Sequence, residues 1–259
     1  MKHLLARANR GLLASSARRH TVLVFDFDGT LAPIVPRPDD AHMRSRTRVL
    51  LASAARSYPC AIITGRAIAD IAPRLRGVGL ACTVGNHGGE WEGAAPRTRH
   101  IRAKVREWRV RLSEQLAGTE GLFIEDKGLS LAIHYRQAHD QRAARTAIRS
   151  AVASLPAAKL VGGKCVANVV PANAPHKGTA LRQIQRMFRA ESTIYVGDDE
   201  TDELAFPSGA SPGLITVRVG PSRSSRAAYY LRSQREIDSL LAILLALRRD
   251  GAASRSGRR

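Results

Sequence analysis

Two carboxylates, Asp26 and Asp28, follow directly after the apolar run Thr21 to Phe25 and precede Gly29. Such a run, bounded by a turn residue, is typical of a buried parallel strand, and ligands bind beyond the carboxyl ends of such strands. Acids at i and i+2 on an extended backbone point to the same side, where they repel each other unless a metal ion or a shared proton compensates. An acidic turn would explain Asp28-Gly29 but not Asp26, so we predict a functional site here.

A second group of acids lies at positions 198–203, after the strand predicted for Thr193 to Val196. Five acids in six positions would, alone, be typical of a solvated helix start, because acids favour helix N-termini. Their place after a buried strand puts them at the same edge of the sheet as Asp26. Oxygen ligands suit Mg²⁺, which commonly serves phosphate chemistry, so the two groups together predict a magnesium site.

Two further residues indicate an anion at this edge of the sheet. Thr64 ends a short apolar strand, and its hydroxyl and the backbone N–H groups that follow it could hold phosphate oxygens. Lys177 precedes a helix that opens with Gly178-Thr179, which also indicates an anion. Thr64-Gly65 alone would fit a strand-to-helix turn with an N-cap, and a lone Lys is usually a solvated charge. These residues gain weight only from the two groups of acids.

The order of elements predicts an α/β fold, a doubly wound parallel sheet with a smaller inserted α/β unit. Strands alternate with helices from residue 21 to residue 88, as in parallel sheets with crossover helices. A helix, two strands, a helix and two strands follow, with the alternation of antiparallel strands, and the first pattern resumes at Lys177. The expected segments are a basic N-terminal extension at 1–20, the core at 21–98 and 173–250, the inserted unit at 99–172, and a disordered tail at 251–259.

Composition limits the classes of function. The 259 residues carry 41 basic and 22 acidic side chains, a formal charge of +19 that would favour polyanions. The arginines are nevertheless scattered through every segment, without the aromatic, zinc-finger or basic-heptad patterns of nucleic-acid-binding modules. We therefore expect an anionic small-molecule substrate and no specific nucleic-acid partner.

Other features bear on location. No apolar run approaches the roughly 20 residues of a spanning helix, so no membrane partner is expected. Cys60, Cys82 and Cys165 have neither CxxC spacing nor an even count, which favours a reducing cytoplasm. Residues 1–20 contain no acid and resemble a transit peptide or a short amphipathic helix, although a frayed extension is the simplest interpretation. A monomer is expected.

In order and strand context, these motifs resemble the haloacid dehalogenase (HAD) superfamily of phosphotransferases. The matching positions are Asp26-Phe27-Asp28-Gly29-Thr30, Thr64, Lys177 and Gly197-Asp198-Asp199-Glu200-Thr201-Asp202. The resemblance implies that Asp26 attacks phosphorus to form an aspartyl-phosphate. It implies that Asp28 first protonates the leaving alkoxide and then activates water for hydrolysis.

The same resemblance implies a set of ligands. Mg²⁺ would be held by Asp26, the Asp28 carbonyl and Asp198, with Asp202 as outer support. Thr64 and Lys177 would neutralise the transferring phosphoryl group, where electrostatic positioning carries most of the catalysis.

The inserted unit resembles a C2-type cap, and its sequence is similar to that of the trehalose-6-phosphate phosphatase family. The similar segments are 125–136, which reads Glu-Asp-Lys-Gly-Leu-Ser-Leu-Ala-Ile-His-Tyr-Arg, 28–36, and Gly85 to Glu90. The resemblance implies a sugar-phosphate substrate, trehalose 6-phosphate, which would be cleaved to trehalose and inorganic phosphate. The substrate-binding residues that it implies are Arg66, Asn86, His87, Gly88, Glu90, Lys127, His134, Arg136, Lys164 and Asn168.

One departure from the family concerns the sugar. The family usually has a pattern like Glu-Val-Arg-Pro where this chain has Asn168-Val169-Val170-Pro171. Asn168 loses the charge-assisted hydrogen bond of a carboxylate, and Val170 removes a cation. The alternatives are therefore a phosphatase for another sugar phosphate, such as a sucrose- or mannosyl-type ester, or a weakly catalytic protein that binds polyanions.

Overall fold

The computed structural model describes residues 1–93, 99–163, 165–206 and 213–256. The strands in this part of the chain are β1 Lys2–His3, β2 Thr21–Phe25, β3 Cys60–Ile63, β4 Cys82–Gly85, β5 Glu90–Trp91, β6 Phe123–Asp126, β7 Leu131–His134, β8 Ala158–Gly163, β9 Val166–Pro171, β10 Ser192–Gly197, β11 Leu214–Val219 and β12 Tyr229–Leu231. The α-helices are α1 Arg10–Arg18, α2 Ser45–Ala55, α3 Ile68–Leu75, α4 Arg99–Gln115, α5 Gln141–Ala153, α6 Lys177–Met187 and α7 Glu236–Ser256.

The strands form two sheets. The larger has eight strands in the order β1-β12-β11-β10-β2-β3-β4-β5, parallel throughout except between β4 and β5. The smaller is antiparallel, in the order β6-β7-β9-β8. This arrangement confirms the predicted α/β fold class. The boundaries of the inserted unit at 99 and 172 stay a prediction, although every strand of the smaller sheet lies between them.

Strand β2 lies in the middle of the larger sheet because both of its faces are apolar. Successive side chains of a strand point to opposite faces. Leu23 and Phe25 join the apolar cluster that includes α2 and α7, whereas Val22 and Val24 join the cluster that includes α6. The sheet is therefore covered on both sides, as its continuous apolar sequence predicts.

The smaller sheet has a separate core. Val105, Trp108 and Leu112 recur at three- and four-residue intervals along α4, and all three are fully buried. They pack in one cluster with Ile133 of β7 and Val169 of β9. One face of this sheet is thus covered by its helices, and the opposite face is left for the functional site.

The first twenty residues belong to the fold, so the prediction of a frayed extension is wrong. β1 pairs with β12, which would otherwise be an exposed sheet edge. α1 packs against α7 and buries Leu13 and Ala17. Because α1 also carries several basic residues, its buried stripe is not recognisable from the sequence alone.

The C-terminal helix is longer than predicted, because α7 continues to Ser256 through part of the segment expected to be disordered. Arg248 of α7 donates hydrogen bonds to the carbonyls of Ala17 and Arg19, at 2.9 and 3.0 Å. The contact with α1 thus supports the helix beyond its predicted end. Within the described ranges, no helix combines the length and the apolar character needed to cross a membrane.

We expect Leu13→Ala to destabilise the protein, because it removes a buried side chain between α1 and α7. A large-to-small core substitution costs about 2–5 kcal/mol, which should lower the melting temperature by roughly 5–15 °C. The matched control is Ser15→Ala on the exposed face of α1. Thermal unfolding of both variants checks the prediction, and equal melting temperatures would show that α1 adds little to stability.

Candidate active site

The predicted catalytic residues meet at one edge of the larger sheet. Asp26, Thr64 and Asp198 each follow directly after one of three adjacent strands, β2, β3 and β10. Lys177 is the first residue of α6, which packs beneath the same strands. Asp26, Thr64, Lys177 and Asp198 are all buried. The sheet topology thus brings together residues that are up to 172 positions apart in the chain.

A buried ion-pair network joins these elements. Lys177 Nζ lies 2.9 Å from Asp26 Oδ2 and 2.8 Å from Asp202 Oδ1. Burial alone would lower the pKa of Lys177, but the charges of Asp202 and Asp26 raise it above its usual value. Burial raises the pKa of Asp26, and the charge of Lys177 opposes this rise. Lys177 therefore keeps its charge and holds the Asp26 carboxylate in place.

Asp202 stabilises the turn formed by the acidic residues at positions 198–203. Its Oδ2 accepts hydrogen bonds from the backbone N–H groups of Asp198 and Asp199, both at 2.9 Å. Its Oδ1 accepts one from Lys177 and one from the hydroxyl of Tyr195, at 2.5 Å. Burial opposes ionisation, but Lys177 and these hydrogen bonds lower the pKa of Asp202. A carboxylate offers about four lone-pair sites, and four hydrogen bonds already occupy them.

Three carboxylates in this network could hold a metal ion. One oxygen each from Asp26, Asp198 and Asp202 lies within 4.8 Å of the others. When the three are ionised, Lys177 compensates only one of their charges, so the buried group keeps an excess of negative charge that a divalent cation would balance. Because Asp202 is already saturated with hydrogen bonds, Asp26 and Asp198 are better placed to supply ligands.

Asp28 lies apart from this network. The extended backbone ends at Phe25, and Asp28 sits in a turn that bridges to Ala32, although both acids still line the same cavity. Arg66 holds the Asp28 carboxylate through two hydrogen bonds, both 2.7 Å long. Asp26 and Asp28 are thus paired with two separate cations, Lys177 and Arg66.

The guanidinium of Arg66 is largely occupied. Besides Asp28, it donates to Asp70 at 2.7 Å and to the carbonyl of Pro38 at 2.8 Å. These contacts use four of its five N–H groups. The geometry therefore favours a role in positioning Asp28, and the predicted contact between Arg66 and substrate stays a prediction.

The segment Gly85 to Glu90 forms a tight turn beside Thr64. The backbone N–H of His87 donates to the Thr64 carbonyl at 2.9 Å. Asn86 donates to Glu90 at 2.8 Å and accepts a hydrogen bond from Ser130, also at 2.8 Å. Gly88 has a φ of +119°, and a Cβ there would lie 2.9 Å from the carbonyl oxygen of His176. Asn86, Gly88 and Glu90 thus shape this turn rather than point into open space.

The smaller sheet contributes polar groups from its uncovered face. Lys127 Nζ donates to the Gly65 carbonyl at 3.2 Å, and burial lowers the pKa of this ammonium. Glu125 lies 2.8 Å from His134 and 3.9 Å from Lys127. Although its burial opposes ionisation, the hydrogen bond from His134 and the charge of Lys127 lower the pKa of Glu125. Lys127, which directly follows β6, therefore links the smaller sheet to the loop after β3.

These groups enclose one cavity of about 160 Å³. Its predicted members are Asp26, Asp28, Arg66, His87, Lys127, His134, Arg136, Asn168, Lys177 and Asp198. Thr64, Asn86, Gly88, Glu90 and Asp202 lie behind this lining, and Lys164 lies outside the described residues. An apolar rim of Ile34, Val35, Pro36 and Pro38 completes the wall. A small molecule with both an anionic and a polyhydroxyl part would suit this enclosure.

Three members of the site were not predicted individually. Tyr195 reads as part of a buried strand, and Asp70 reads as a surface residue of α3. Glu125 lies on β6, two positions before Lys127, and that spacing was the available signal that the two share a face.

Comparison with known proteins identifies relatives. The trehalose-phosphatase family model matches residues 24–234. Trehalose-phosphate phosphatase B of Arabidopsis thaliana is 27% identical over 89% of this chain and 68% of its own length. The C-terminal domain of C. albicans trehalose-6-phosphate phosphatase aligns with a TM-score of 0.79 at 22% identity, covering 92% of this chain and 97% of that domain.

A HAD subclass IIB sugar phosphatase, BT4131, aligns with a TM-score of 0.58 at 17% identity, covering 86% of this chain and 97% of its own. At these identities the two structural likenesses establish a common fold. The HAD-like fold expected from the sequence motifs is therefore confirmed.

We expect Gly29→Ala to abolish cation binding, because a Cβ at this position would overlap with the Asp198 carboxylate. In the unaltered protein, a saturating divalent cation should raise the melting temperature, since a ligand at 100 times its Kd contributes about 2.7 kcal/mol. Thermal shift with and without Mg²⁺ should show this rise, and Gly29→Ala should lose it.

The matched control is Gly77→Ala. Gly77 has a φ of +79°, close to the +80° of Gly29, but a Cβ there would meet nothing within 4 Å. Both variants should therefore bear the backbone cost of about 1–2 kcal/mol, and only Gly77→Ala should keep the response to Mg²⁺. A full response in Gly29→Ala would exclude this metal site.

Proposed function

We propose a mechanism and a substrate-binding mode for this chain on the premise that it belongs to the trehalose-phosphatase family. Its activity is the hydrolysis of trehalose 6-phosphate to trehalose and inorganic phosphate, a step of trehalose biosynthesis. The observation that carries the mechanism is the buried Asp26–Lys177–Asp202 network facing a cavity with polar walls.

Asp26 is the proposed nucleophile. An oxygen of its carboxylate attacks phosphorus, so that a new O–P bond forms while the P–O bond to the sugar breaks. Lys177, which contacts Asp26 at 2.9 Å, fixes the direction of attack and balances charge on the transferring group. Thr64 and the turn that follows it hold the phosphoryl oxygens at the end of β3.

Asp28 is the proposed acid and base. Its protonated form gives a proton to the leaving sugar oxygen, and the resulting carboxylate then takes a proton from the water that attacks the aspartyl-phosphate. This second attack releases inorganic phosphate and restores Asp26. Arg66 holds the Asp28 carboxylate at the cavity wall between the two steps.

Mg²⁺ is the proposed cofactor. Asp26, Asp198 and the Asp28 carbonyl would hold it, with Asp202 bracing the acidic turn behind them. When bound, Mg²⁺ balances the excess negative charge and polarises the phosphoryl group. The hard oxygen donors support this ion rather than a softer metal.

Selection of the sugar is assigned to the smaller sheet, acting as the cap. Lys127, His134, Arg136 and Asn168 line the cavity opposite Asp26 and offer donors to sugar hydroxyls. Asn168 is almost fully buried, and its Nδ2 lies 3.5 Å from the Val161 carbonyl. The neutral Asn168 and the apolar Val170 favour a second candidate, another sugar phosphate, and for that reason the sugar must be tested directly.

The environment of the enzyme is a further part of the proposal. The three cysteines are free thiols, as a reducing cytoplasm would allow. We propose a cytoplasmic monomer that acts on a small sugar phosphate and has no specific nucleic-acid partner. The scattered distribution of arginine supports the last point.

We expect Asp26→Asn to lower phosphate release from trehalose 6-phosphate by at least about 1,000-fold, because an amide is a poor nucleophile. Rapid acid quenching with labelled substrate should trap a phosphoenzyme in the unaltered protein and none in the variant. Glu120→Gln, at an exposed position, is the control. Undiminished turnover by Asp26→Asn would disprove the nucleophile assignment.

The sugar assignment is tested with a panel of trehalose 6-phosphate, sucrose 6-phosphate, glucose 6-phosphate and p-nitrophenyl phosphate. We expect the highest kcat/KM for trehalose 6-phosphate. Asn168→Ala should lower that value by roughly 10-fold, the typical cost of one hydrogen bond, and leave the sugar-free p-nitrophenyl ester unaffected. A preference for the monosaccharide would contradict the disaccharide assignment.

A further inference from the structure

Asp70, in the first turn of α3, joins two buried arginines at the wall of the cavity. Its Oδ2 accepts a hydrogen bond from Arg66 at 2.7 Å, and its Oδ1 lies 2.7 Å from Nη1 of Arg74. The side chains of Arg66 and Arg74 are only 7% and 13% exposed. Because a buried charge without a partner is unstable, the Asp70 carboxylate stabilises two guanidiniums that would otherwise repel each other.

The same two arginines hold one loop of the cavity rim. Arg66 donates a hydrogen bond to the Pro38 carbonyl at 2.8 Å, and Arg74 donates one to the Asp39 carbonyl at 3.2 Å. Pro38 itself lines the cavity. Asp70 therefore lies at the centre of a set of contacts that ties α3 to the rim loop.

The orientation of the Arg66 guanidinium depends on Asp70. Nε and Nη2 of Arg66 donate to the Asp28 carboxylate, whereas Nη1 donates to Asp70. A guanidinium is planar and its N–H groups have fixed directions, so the contact at Nη1 also sets the directions of the two bonds to Asp28. Burial alone would lower the pKa of Arg66, but hydrogen bonds and charges from Asp28 and Asp70 raise it. Arg66 thus stays charged and is held from both sides.

We propose that Asp70 is a positioning residue that acts through Arg66 and keeps the Asp28 carboxyl directed at the oxygen that leaves phosphorus. This inference rests on the proposed function, because it takes Asp28 as the acid. In that step an Asp26 oxygen bonds to phosphorus and the P–O bond to the leaving group breaks. The leaving oxygen keeps the electron pair and takes the Asp28 proton. Loss of Asp70 should therefore affect the esters that need this proton and spare those that do not.

Two aryl esters separate these cases. Phenyl phosphate and p-nitrophenyl phosphate differ little in shape, but phenolate is the stronger base and needs a proton as it leaves. The ratio kcat/KM covers the steps up to departure of this group, so it reports on the acid. Since a positioned general acid contributes about 100- to 10,000-fold, we expect Asp70→Ala to lower kcat/KM about 10- to 100-fold for phenyl phosphate and less than about threefold for p-nitrophenyl phosphate.

Two further variants give the comparison. Asp70→Asn keeps an acceptor oxygen but loses the charge, so it should recover part of the loss for phenyl phosphate. Asp39→Asn removes a charge that lies 3.5 Å from the same Arg74. The Asp39 side chain is 95% exposed, and such ion pairs contribute little. Asp39→Asn should therefore match the unaltered chain for both esters.

A selective loss for phenyl phosphate in Asp70→Ala supports the proposal. An equal loss for both esters, as general damage to the phosphate site would cause, overturns it, and so does an unchanged kcat/KM for phenyl phosphate. Neither ester carries a sugar, so the result does not depend on the sugar assignment. An unaltered chain that hydrolyses neither ester would refute the proposed function together with the role of Asp70, whereas hydrolysis without a selective loss would refute the role of Asp70 alone.

Discussion

The position of Lys177 between Asp26 and Asp202 is the constraint on which the rest of the site depends. A buried ammonium is stable only when it is paired, and loss of one partner of a buried pair leaves an uncompensated charge. Lys177 is also the first residue of α6, where a reciprocal pair of hydrogen bonds between His176 and Thr179 caps the helix. The ion pairs therefore fix the start of α6 against the ends of β2 and β10.

Two separate cations resolve the repulsion between Asp26 and Asp28. Lys177 faces the buried Asp26, whereas Arg66 holds the partly exposed Asp28 and is itself tied to Asp70 of α3. The proposed nucleophile and the proposed acid or base thus belong to different networks, one in the interior and one at the cavity wall.

Sequence reasoning located the strand ends because a buried parallel strand has a recognisable composition and its carboxyl end has a fixed place in the sheet. It placed Asp26, Thr64, Lys177 and Asp198 at one edge, where the structure also has them. It could not give the cation that pairs with Asp28, because the backbone leaves the strand conformation after Phe25. The pairing of Asp28 with Arg66 depends on that local turn and has no signature in spacing.

The same reasoning failed at the chain ends for a different reason. Burial of α1 depends on a partner, α7, that lies more than 200 residues away, and α7 in turn extends because α1 is present. α7 has an apolar stripe of its own, at Ile237, Leu240, Leu241, Leu244 and Leu245, whereas α1 is rich in basic residues and has none as strong. The contact between α1 and α7 that stabilises both helices can be recognised only when both are placed on the sheet.

Contacts between the cap and the core converge on the residues that are proposed to hold the phosphate. Lys127 binds the Gly65 carbonyl, and Ser130 binds Asn86 in the turn that carries His87. A sugar that displaced Lys127 would therefore disturb Gly65, and with it the neighbouring Thr64 and Arg66. Through Arg66 the disturbance would reach Asp28, and through the turn it would reach His87. Sugar fit and phosphoryl alignment are coupled by this short set of hydrogen bonds, so a poorly fitting sugar should affect the rate of chemistry as well as affinity.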